Sequence, residues 1–512
     1  VGGSPLRLSK EAAIEMEAGP QRKIPRRTAS ALTAVASLVL SLLVCEVAVR
    51  YVGEFDALGQ FVFRGRVVRP YELPLETVRQ SLDAYRSSTE SRLVYDSLLG
   101  WAPRPGAVSA DGLYRYNSRG LRSEPREFEH LPRPGVLRVE LFGDSFVHGD
   151  DVAYEETFSA QLEGHLRGEG VRAEVMNFGV SGYGIDQALL HFRRDGSTES
   201  AQLVVLGFQA ENVNRNLNIL RPLYIPQTSL PFAKPRFVVE GGELRLVNVP
   251  VLSFEEIPAT LEDLESWELI DYEHFYDPGD YHDPLWRRSK FLAATVDELQ
   301  RALGAAPAEA WRPILDDESM GLTTAIIDAF RRQAEEAGAH FLVVHLPARS
   351  DLETLLAGEP LAYRALLRQL DERFEVVHPE RLMMRVARDD SIDALFVPGP
   401  MKGHYSAFAN KLIADALFDE VAREITAGRL QYREPEDAPR PPRGPGRPGT
   451  TSIWPRVGLP ITRAGSPLPL VESSTLCAPD PATVGAPGEA NGTTGGVVLD
   501  AQAVRVAQGA GA

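Results

Sequence analysis

The sequence predicts an α/β protein: a three-layer α/β/α sandwich around a short parallel sheet of about five strands, behind one apolar N-terminal helix. Three observations predict it. From residue 135 to about 428, short apolar runs alternate with amphipathic segments; glycine and proline punctuate the joins; and one long uncharged run lies near the N-terminus.

The uncharged run comes first in the chain. ASALTAVASLVLSLLVC starts at Ala29, and VAVRYV extends it past Glu46, close to the ~20 residues that cross a hydrocarbon core. Arg22, Lys23, Arg26 and Arg27 precede it. By the positive-inside rule, residues 1–28 are then a cytoplasmic tail, 29–52 a single-pass anchor in the cell membrane, and the remainder extracytoplasmic. A cleaved signal peptide would need a shorter apolar core and small residues at its cleavage site, and a lipoprotein a small residue where Val44 stands. Glu46 and Arg50 are spaced to pair on one helix face near the exit.

Residues 53–134 mix short apolar pieces with turn signals, APRPG at 102–106 and NSRG at 117–120, and read as a lead-in of short strands and loops. Then VLRVELF reads as a buried strand, ETFSAQLEGHLRGEG as an amphipathic helix, AEVMNFGV as a second strand, GIDQALLHFRR as a helix and LVVLGF as a third strand. Strand and helix in strict alternation make a parallel sheet wrapped by helices. An insertion at 213–320 breaks the pattern. It holds a hairpin turning at Gly241 and Gly242 and an acidic, aromatic stretch, WELIDYEHFYDPGDYHDPLW. The insertion could wall or cover a site, but its acidic residues read first as solvated surface. TTAIIDAFRRQAEEAG, HFLVVHLP, LAYRALLRQLDERF, EVVHP and ANKLIADALFDEVAREI then resume the alternation to about residue 428. The Pro/Gly-rich residues 433–512 lack the apolar content to offset the entropy of ordering and are expected to be disordered.

Composition removes some functions. A net charge of −17, with basic residues clustered only at the two ends, argues against a nucleic-acid partner. The two cysteines, Cys45 and Cys477, make no disulfide framework and belong to no zinc-type spacing, so neither a metal nor another cofactor is expected.

The chemistry-bearing residues lie after strands. Ser145, in GDSF, follows the first strand and precedes a helix, the edge of an open α/β sheet where sites form. GxSxG is absent, which excludes the α/β-hydrolase nucleophile elbow. The second strand runs into NFGVSGYG, where Gly182 lets a backbone N–H approach a substrate, and the third into GFQAENVNRN, where the Asn212 amide can donate to a developing negative charge. A serine nucleophile needs a base. Of ten histidines, His345, His378 and His404 fall near strand ends or loops on that edge, and His404, freed by Gly403 just before the last helix, ranks first.

The ordered set GDS, a Gly-bearing loop, an Asn-bearing loop and a His before the last helix resembles the SGNH (GDSL-like) hydrolase superfamily over residues 135–428. The lead-in motifs LGWAPRPG (99–106) and YNSRGLRS (116–123) resemble its bacterial membrane-anchored members. The resemblance implies that Ser145 attacks an acyl carbonyl, that His404 carries the proton, and that the Ser145 and Gly182 N–H groups with the Asn212 amide hold the oxyanion. It further implies an acyl-enzyme resolved by water or by a sugar hydroxyl: an esterase or O-acyltransferase acting on O-acyl, above all O-acetyl, esters of an envelope or exported polysaccharide. A glycan-binding relative with impaired chemistry, and a lipase or thioesterase, stay open beside it. Two positions depart from the family. Met401 and Lys402 stand where an Asp usually orients the histidine, and Val213 follows Asn212 where an Asp is common. A backbone carbonyl from the 398–402 loop, or Asp393, could hold the imidazole instead.

Overall fold

The run Leu137–Phe142 is buried throughout, as in a strand covered on both faces. In the computed structural model, which describes residues 26–430 except 57–58, 89–90, 125, 227, 304–311 and 399–402, this run is strand β1. With β2 (Ala173–Asn177), β3 (Leu203–Phe208), β4 (His340–His345) and β5 (Val376–Val377) it forms one parallel sheet in the order β5-β4-β3-β1-β2. β1 pairs with β2 from Leu137↔Ala173 and with β3 from Val139↔Leu203. The chain steps outward from β1 to β2, then crosses back to β3 on the other side of β1, so the order reverses between β1 and β3. A crevice opens at the carboxyl ends of such a pair.

Side-chain alternation gives each face its own cover. Phe142, Val204, Leu206, Phe208, Phe341 and Val343 share a core with α4 (Ile185–His191) and α7 (Asp317–Glu336). On the other side, α3 (Phe158–Gly168) packs on β2 and on α9 (Ala407–Thr426). The short α2 (Ser145–His148) follows β1, the short α5 (Asn212–Arg215) follows β3, and α6 (Lys290–Ala302) lies in the insertion. The helix α8 (Glu380–Asp389) follows β5. The three-layer α/β/α sandwich and the five strands stand as the sequence predicts them. α1 (Arg26–Val52) carries a stretch, Ser30–Val52, with a mean hydropathy of 2.3, long and apolar enough to cross a membrane. Residues 1–25, the 433–512 tail and Cys477 lie outside the described residues, as do Met401 and Lys402.

The lead-in holds the antiparallel pair Leu93–Asp96 and Gly100–Pro103, and also a helix, Leu75–Ser87, that turn signals alone do not reveal. The insertion departs further from expectation. Its hairpin is Arg236–Glu240 with Glu243–Val247, turning at Gly241 and Gly242 as predicted. Its acidic residues are not all a solvated surface. The buried carboxylate of Glu273 accepts the N–H groups of Ile219 at 2.7 Å and Leu220 at 2.8 Å, and Asp280 and Asp297 converge on the buried Arg69 of the lead-in. A buried carboxylate is tolerated only with such partners. Lys234, fully buried, meets Asp186 at the start of α4 and donates to the carbonyls of Pro235 at 2.8 Å and Asn218 at 3.1 Å. Phe232 and Phe254 stack at 4.6 Å, with Trp101 of the lead-in 5.4 Å from Phe232. Insertion, lead-in and sheet thus share one interior.

One buried acid has no such help. Glu140 lies in the middle of β1, and among the described residues neither of its carboxylate oxygens meets a donor. Burial and the nearby Glu199 push its pKa well above the ordinary value, against Arg138 and Arg119. An acid protonated when folded but ionised when unfolded removes stability as pH rises above about 4.5, its unfolded pKa, until its folded pKa is passed. Glu140→Gln should therefore flatten the loss of stability between about pH 5 and 8, measured by denaturant titration of the full chain in detergent. Parallel wild-type and variant curves would count against a neutral Glu140.

Candidate active site

The sharp turn after β1 starts at Gly143, whose φ of +156° and near contact with Val147 leave no room for a Cβ. Asp144 then caps α2: its side chain accepts the Phe146 N–H at 3.0 Å. Its other oxygen is held by Arg215 at 2.9 Å and by the Asn212 amide at 3.1 Å, both on α5 after β3. This pairing spans from the end of β1 to the end of β3 and brings Asn212 beside the turn that carries Ser145. Asn212 also accepts the Gln209 N–H at 2.9 Å. One of its two amide hydrogens is thus committed to Asp144.

Ser145 is the first residue of α2 and is 7% exposed. Gly182 adopts φ +81°, a conformation that only glycine takes without strain, and a Cβ there would meet Leu230 at 2.9 Å. Among the described residues no acceptor meets the N–H of Ser145 or of Gly182. Unpaired N–H groups facing a crevice are what an oxyanion requires.

His404 lies just before α9. Its Nδ1 meets Asp151 Oδ2 at 2.6 Å, and the ring of Phe146, the residue after Ser145, stands edge-on to the imidazole with centroids 5.5 Å apart. Among the described residues neither His404 Nε2 nor the Ser145 Oγ makes a hydrogen bond, to each other or to a third group. Burial lowers the imidazole pKa, but the Asp151 bond and the negative charges of Asp150, Asp151 and Asp144 outweigh it and raise the pKa above the ordinary value. An Asp bonded to Nδ1 sets the tautomer that leaves Nε2 free to accept a proton.

Asp151 is the residue that sequence reasoning missed. Asp393, one of the two suggested substitutes, is engaged by Arg349 instead. The other, the 398–402 loop, is described only at Pro398. The pair Asp150–Asp151, directly after the glycine that ends α2, was the available signal. Asp151 has φ +68°, uncommon for a residue with a Cβ. The lead-in holds it there. The Tyr114 hydroxyl accepts the Asp151 N–H at 3.0 Å, and the buried Arg122 guanidinium donates to the carbonyls of His148 at 2.5 Å, Val152 at 2.5 Å and Gly149.

The neighbouring His148, one turn beyond Ser145, is no rival base. It is 1% exposed, its Nδ1 is bonded to Asp150 and its Nε2 lies 2.9 Å from the Tyr116 hydroxyl. A carboxylate only accepts, so Nδ1 carries the proton and Tyr116 donates to Nε2. Burial holds the pKa of His148 down to about 4, leaving it neutral. Asp150 in turn accepts the Ser181 hydroxyl at 2.8 Å, tying the nucleophile turn to the Gly182 loop. Trp101 donates to the Ser181 carbonyl at 3.1 Å, and Tyr183 returns a bond to the Trp101 carbonyl at 2.6 Å.

The other two histidines belong elsewhere. His345 is fully buried between Glu380 at 3.2 Å and the Tyr363 hydroxyl at 3.2 Å. His378 joins Glu380 at 2.8 Å and Asp371 at 2.8 Å, and these two carboxylates, against the cost of burial, raise its pKa to about 9. An imidazolium held between two carboxylates is a structural ion pair, and neither histidine is brought to Ser145.

Removing the Arg122 guanidinium would leave three carbonyls of one loop unpaired, at about 1–3 kcal/mol for each buried group. Arg122→Met should lower stability by about 3 kcal/mol or more in denaturant titration. It should also slow fluorophosphonate labelling of the folded fraction, because Asp151 loses its support. Unchanged labelling would show that the clamp does not serve the site.

No family model matches this sequence, and no curated protein matches it. Solved structures similar to this chain include a protein described as lipolytic, of the G-D-S-L family, from Desulfitobacterium hafniense DCB-2, at 12% identity and TM-score 0.28, covering 55% of this chain and 98% of that one. A lipase/acylhydrolase from Enterococcus faecalis matches at 12% identity and TM-score 0.29, covering 58% of this chain and 100% of the other. A catalytic mutant of an acetylxylan esterase from Geobacillus stearothermophilus matches at 9% identity and TM-score 0.29, covering 56% of this chain and 94% of that chain.

Proposed function

We propose that this chain is a membrane-anchored serine esterase or O-acyltransferase of the SGNH type, in which Ser145, His404 and Asp151 form the catalytic triad. The observation that carries the proposal is the 2.6 Å bond between His404 Nδ1 and Asp151, with the ring of Phe146, the residue after Ser145, 5.5 Å from the imidazole. His404 takes the Ser145 proton as Oγ attacks the acyl carbonyl. The oxyanion is held by the Ser145 and Gly182 N–H groups and by the second amide hydrogen of Asn212. The imidazolium then protonates the leaving alcohol, and an acyl-enzyme remains on Ser145. Water attacks it to give the acid, or a sugar hydroxyl attacks it to give a new ester; His404 accepts the attacking group's proton and returns it to Ser145 Oγ as the acyl–Oγ bond breaks.

The proposed substrates are O-acyl esters, chiefly O-acetyl, of an envelope or exported polysaccharide, which an anchor with an extracytoplasmic domain would keep within reach. The competing proposal, a glycan-binding relative with impaired chemistry, drew on Met401 and Lys402 standing where an orienting Asp is usual. Asp151 supplies a carboxylate to the imidazole by another route, which favours a working site. Chain-length preference among acyl esters separates the esterase or O-acyltransferase from a lipase or thioesterase.

The test uses the full chain in detergent with chromogenic acetyl and longer acyl esters. Ser145→Ala should abolish turnover and fluorophosphonate labelling; turnover that survives it removes Ser145 from the mechanism. As a base His404 acts only when neutral, so kcat/KM should rise with pH through an apparent pKa above the ordinary ~6.5. Asp151→Asn should cut kcat by about 10²–10⁴ and move that rising limb to lower pH. A pH profile unmoved by the substitution would exclude Asp151 as the partner of the base.

A further inference from the structure

Glu46, inside the apolar stretch of α1, does more than pair with Arg50. Its carboxylate accepts the Ser289 hydroxyl at 2.8 Å and the N–H groups of Phe291 at 2.9 Å and Lys290 at 3.1 Å, capping the first turn of α6. Arg50 donates to the Arg288 carbonyl at 2.9 Å. One turn further along α1, Val49 packs on the cluster of Phe61, Val68, Ala293 and Ala294. Glu46 and Arg50 thus both meet the entry of α6, and the turn Leu285–Arg288, which leads into α6, lies beside the last turns of α1.

That turn presents apolar surface. Leu285 is 77% exposed and Trp286 40%, the Arg288 side chain is 70% exposed, and Arg287 lies beneath the indole at 5.3 Å. Tyr51, at the end of α1, is 89% exposed. At 1.5 Å per residue, Glu46 stands about 24 Å from Ser30, near the far edge of a hydrocarbon core about 30 Å thick. Aromatic rings with a polar edge, and basic side chains, gather at this depth.

We propose that Leu285–Arg288 is an interfacial foot, resting in the headgroup layer of the bilayer that α1 crosses and holding the globular domain at one height and orientation. The proposal rests on α1 being a membrane span. Its occupant is the lipid surface, because the foot is continuous with that span through Glu46 and Arg50. Leu285 and Trp286 would supply apolar contact and Arg288 attraction to anionic headgroups.

The test uses the full chain with Cys45→Ala and Cys477→Ala, in vesicles of phosphatidylcholine and phosphatidylglycerol, with bimane on single cysteines at Leu285→Cys, Leu38→Cys or Leu299→Cys. All three positions are exposed, so the labels should not disturb folding. Leu299 lies about 13 Å along α6 from its start, beyond the contacts with Glu46 and Arg50. The Leu285 label should be quenched by shallow doxyl lipid at least about twofold more than the Leu299 label, and shielded from aqueous iodide. If Leu38 is lipid-quenched while Leu285 behaves like Leu299, the foot is overturned and the span stands. If Leu38 is not lipid-quenched, the span falls and the foot with it. Iodide shielding at Leu285 that grows with protein density and lacks lipid quenching would mean that a second copy covers the turn, which also overturns the foot.

Discussion

A loop that holds a carboxylate against an imidazole must be kept still, and here one buried guanidinium does most of the holding. Arg122 binds the carbonyls of His148, Gly149 and Val152, on both sides of Asp151. A planar fork with five donors can satisfy several carbonyls at once, which an ammonium on a flexible stem does less rigidly. Because those carbonyls are taken, Asp151 can be kept in a left-handed conformation with its carboxylate turned to His404. The tautomer of His404 and its raised pKa depend on that posture.

The lead-in therefore belongs to the site. Trp101 and Tyr183 exchange hydrogen bonds that hold the Gly182 loop, while Tyr114, Tyr116 and Arg122 hold the turn after Ser145. The insertion is fastened by buried charge: Lys234 to Asp186, and Asp280 and Asp297 to Arg69. Such pairs contribute little net stability, since desolvation offsets most of the Coulomb attraction, but breaking one partner leaves a buried charge unpaired at about 3–5 kcal/mol. The pairs thereby favour one arrangement of insertion and lead-in over its alternatives.

β1, β3 and β4 were legible because a strand covered on both faces is rich in apolar residues: LVVLGF and FLVV are unbroken apolar runs, and VLRVELF is interrupted only by Arg138 and Glu140. The hairpin was legible from two glycines, each at positive φ in the structure. Helix Leu75–Ser87 was not, because it buries only Val78 and Leu82 fully and the turn signals around it dominate. Glu273 and Asp280 read as surface because a carboxylate's partners come from distant segments, which periodicity does not record.

At the candidate site, Ser145, Gly182, Asn212 and His404 could be named from sequence because each follows a strand or precedes a helix, and chain order in a parallel sheet brings such ends to one edge. Local grammar determined that much: the layers, the edge and the residue types placed on it. The partner of His404 was decided by tertiary structure alone. Asp151 is separated from it by 253 positions, and the bond exists only where the start of α9 passes the loop after α2. Covalent sequence sets which residues can reach a strand end; the packing of Tyr114 and Arg122 against that loop decides which carboxylate faces the imidazole.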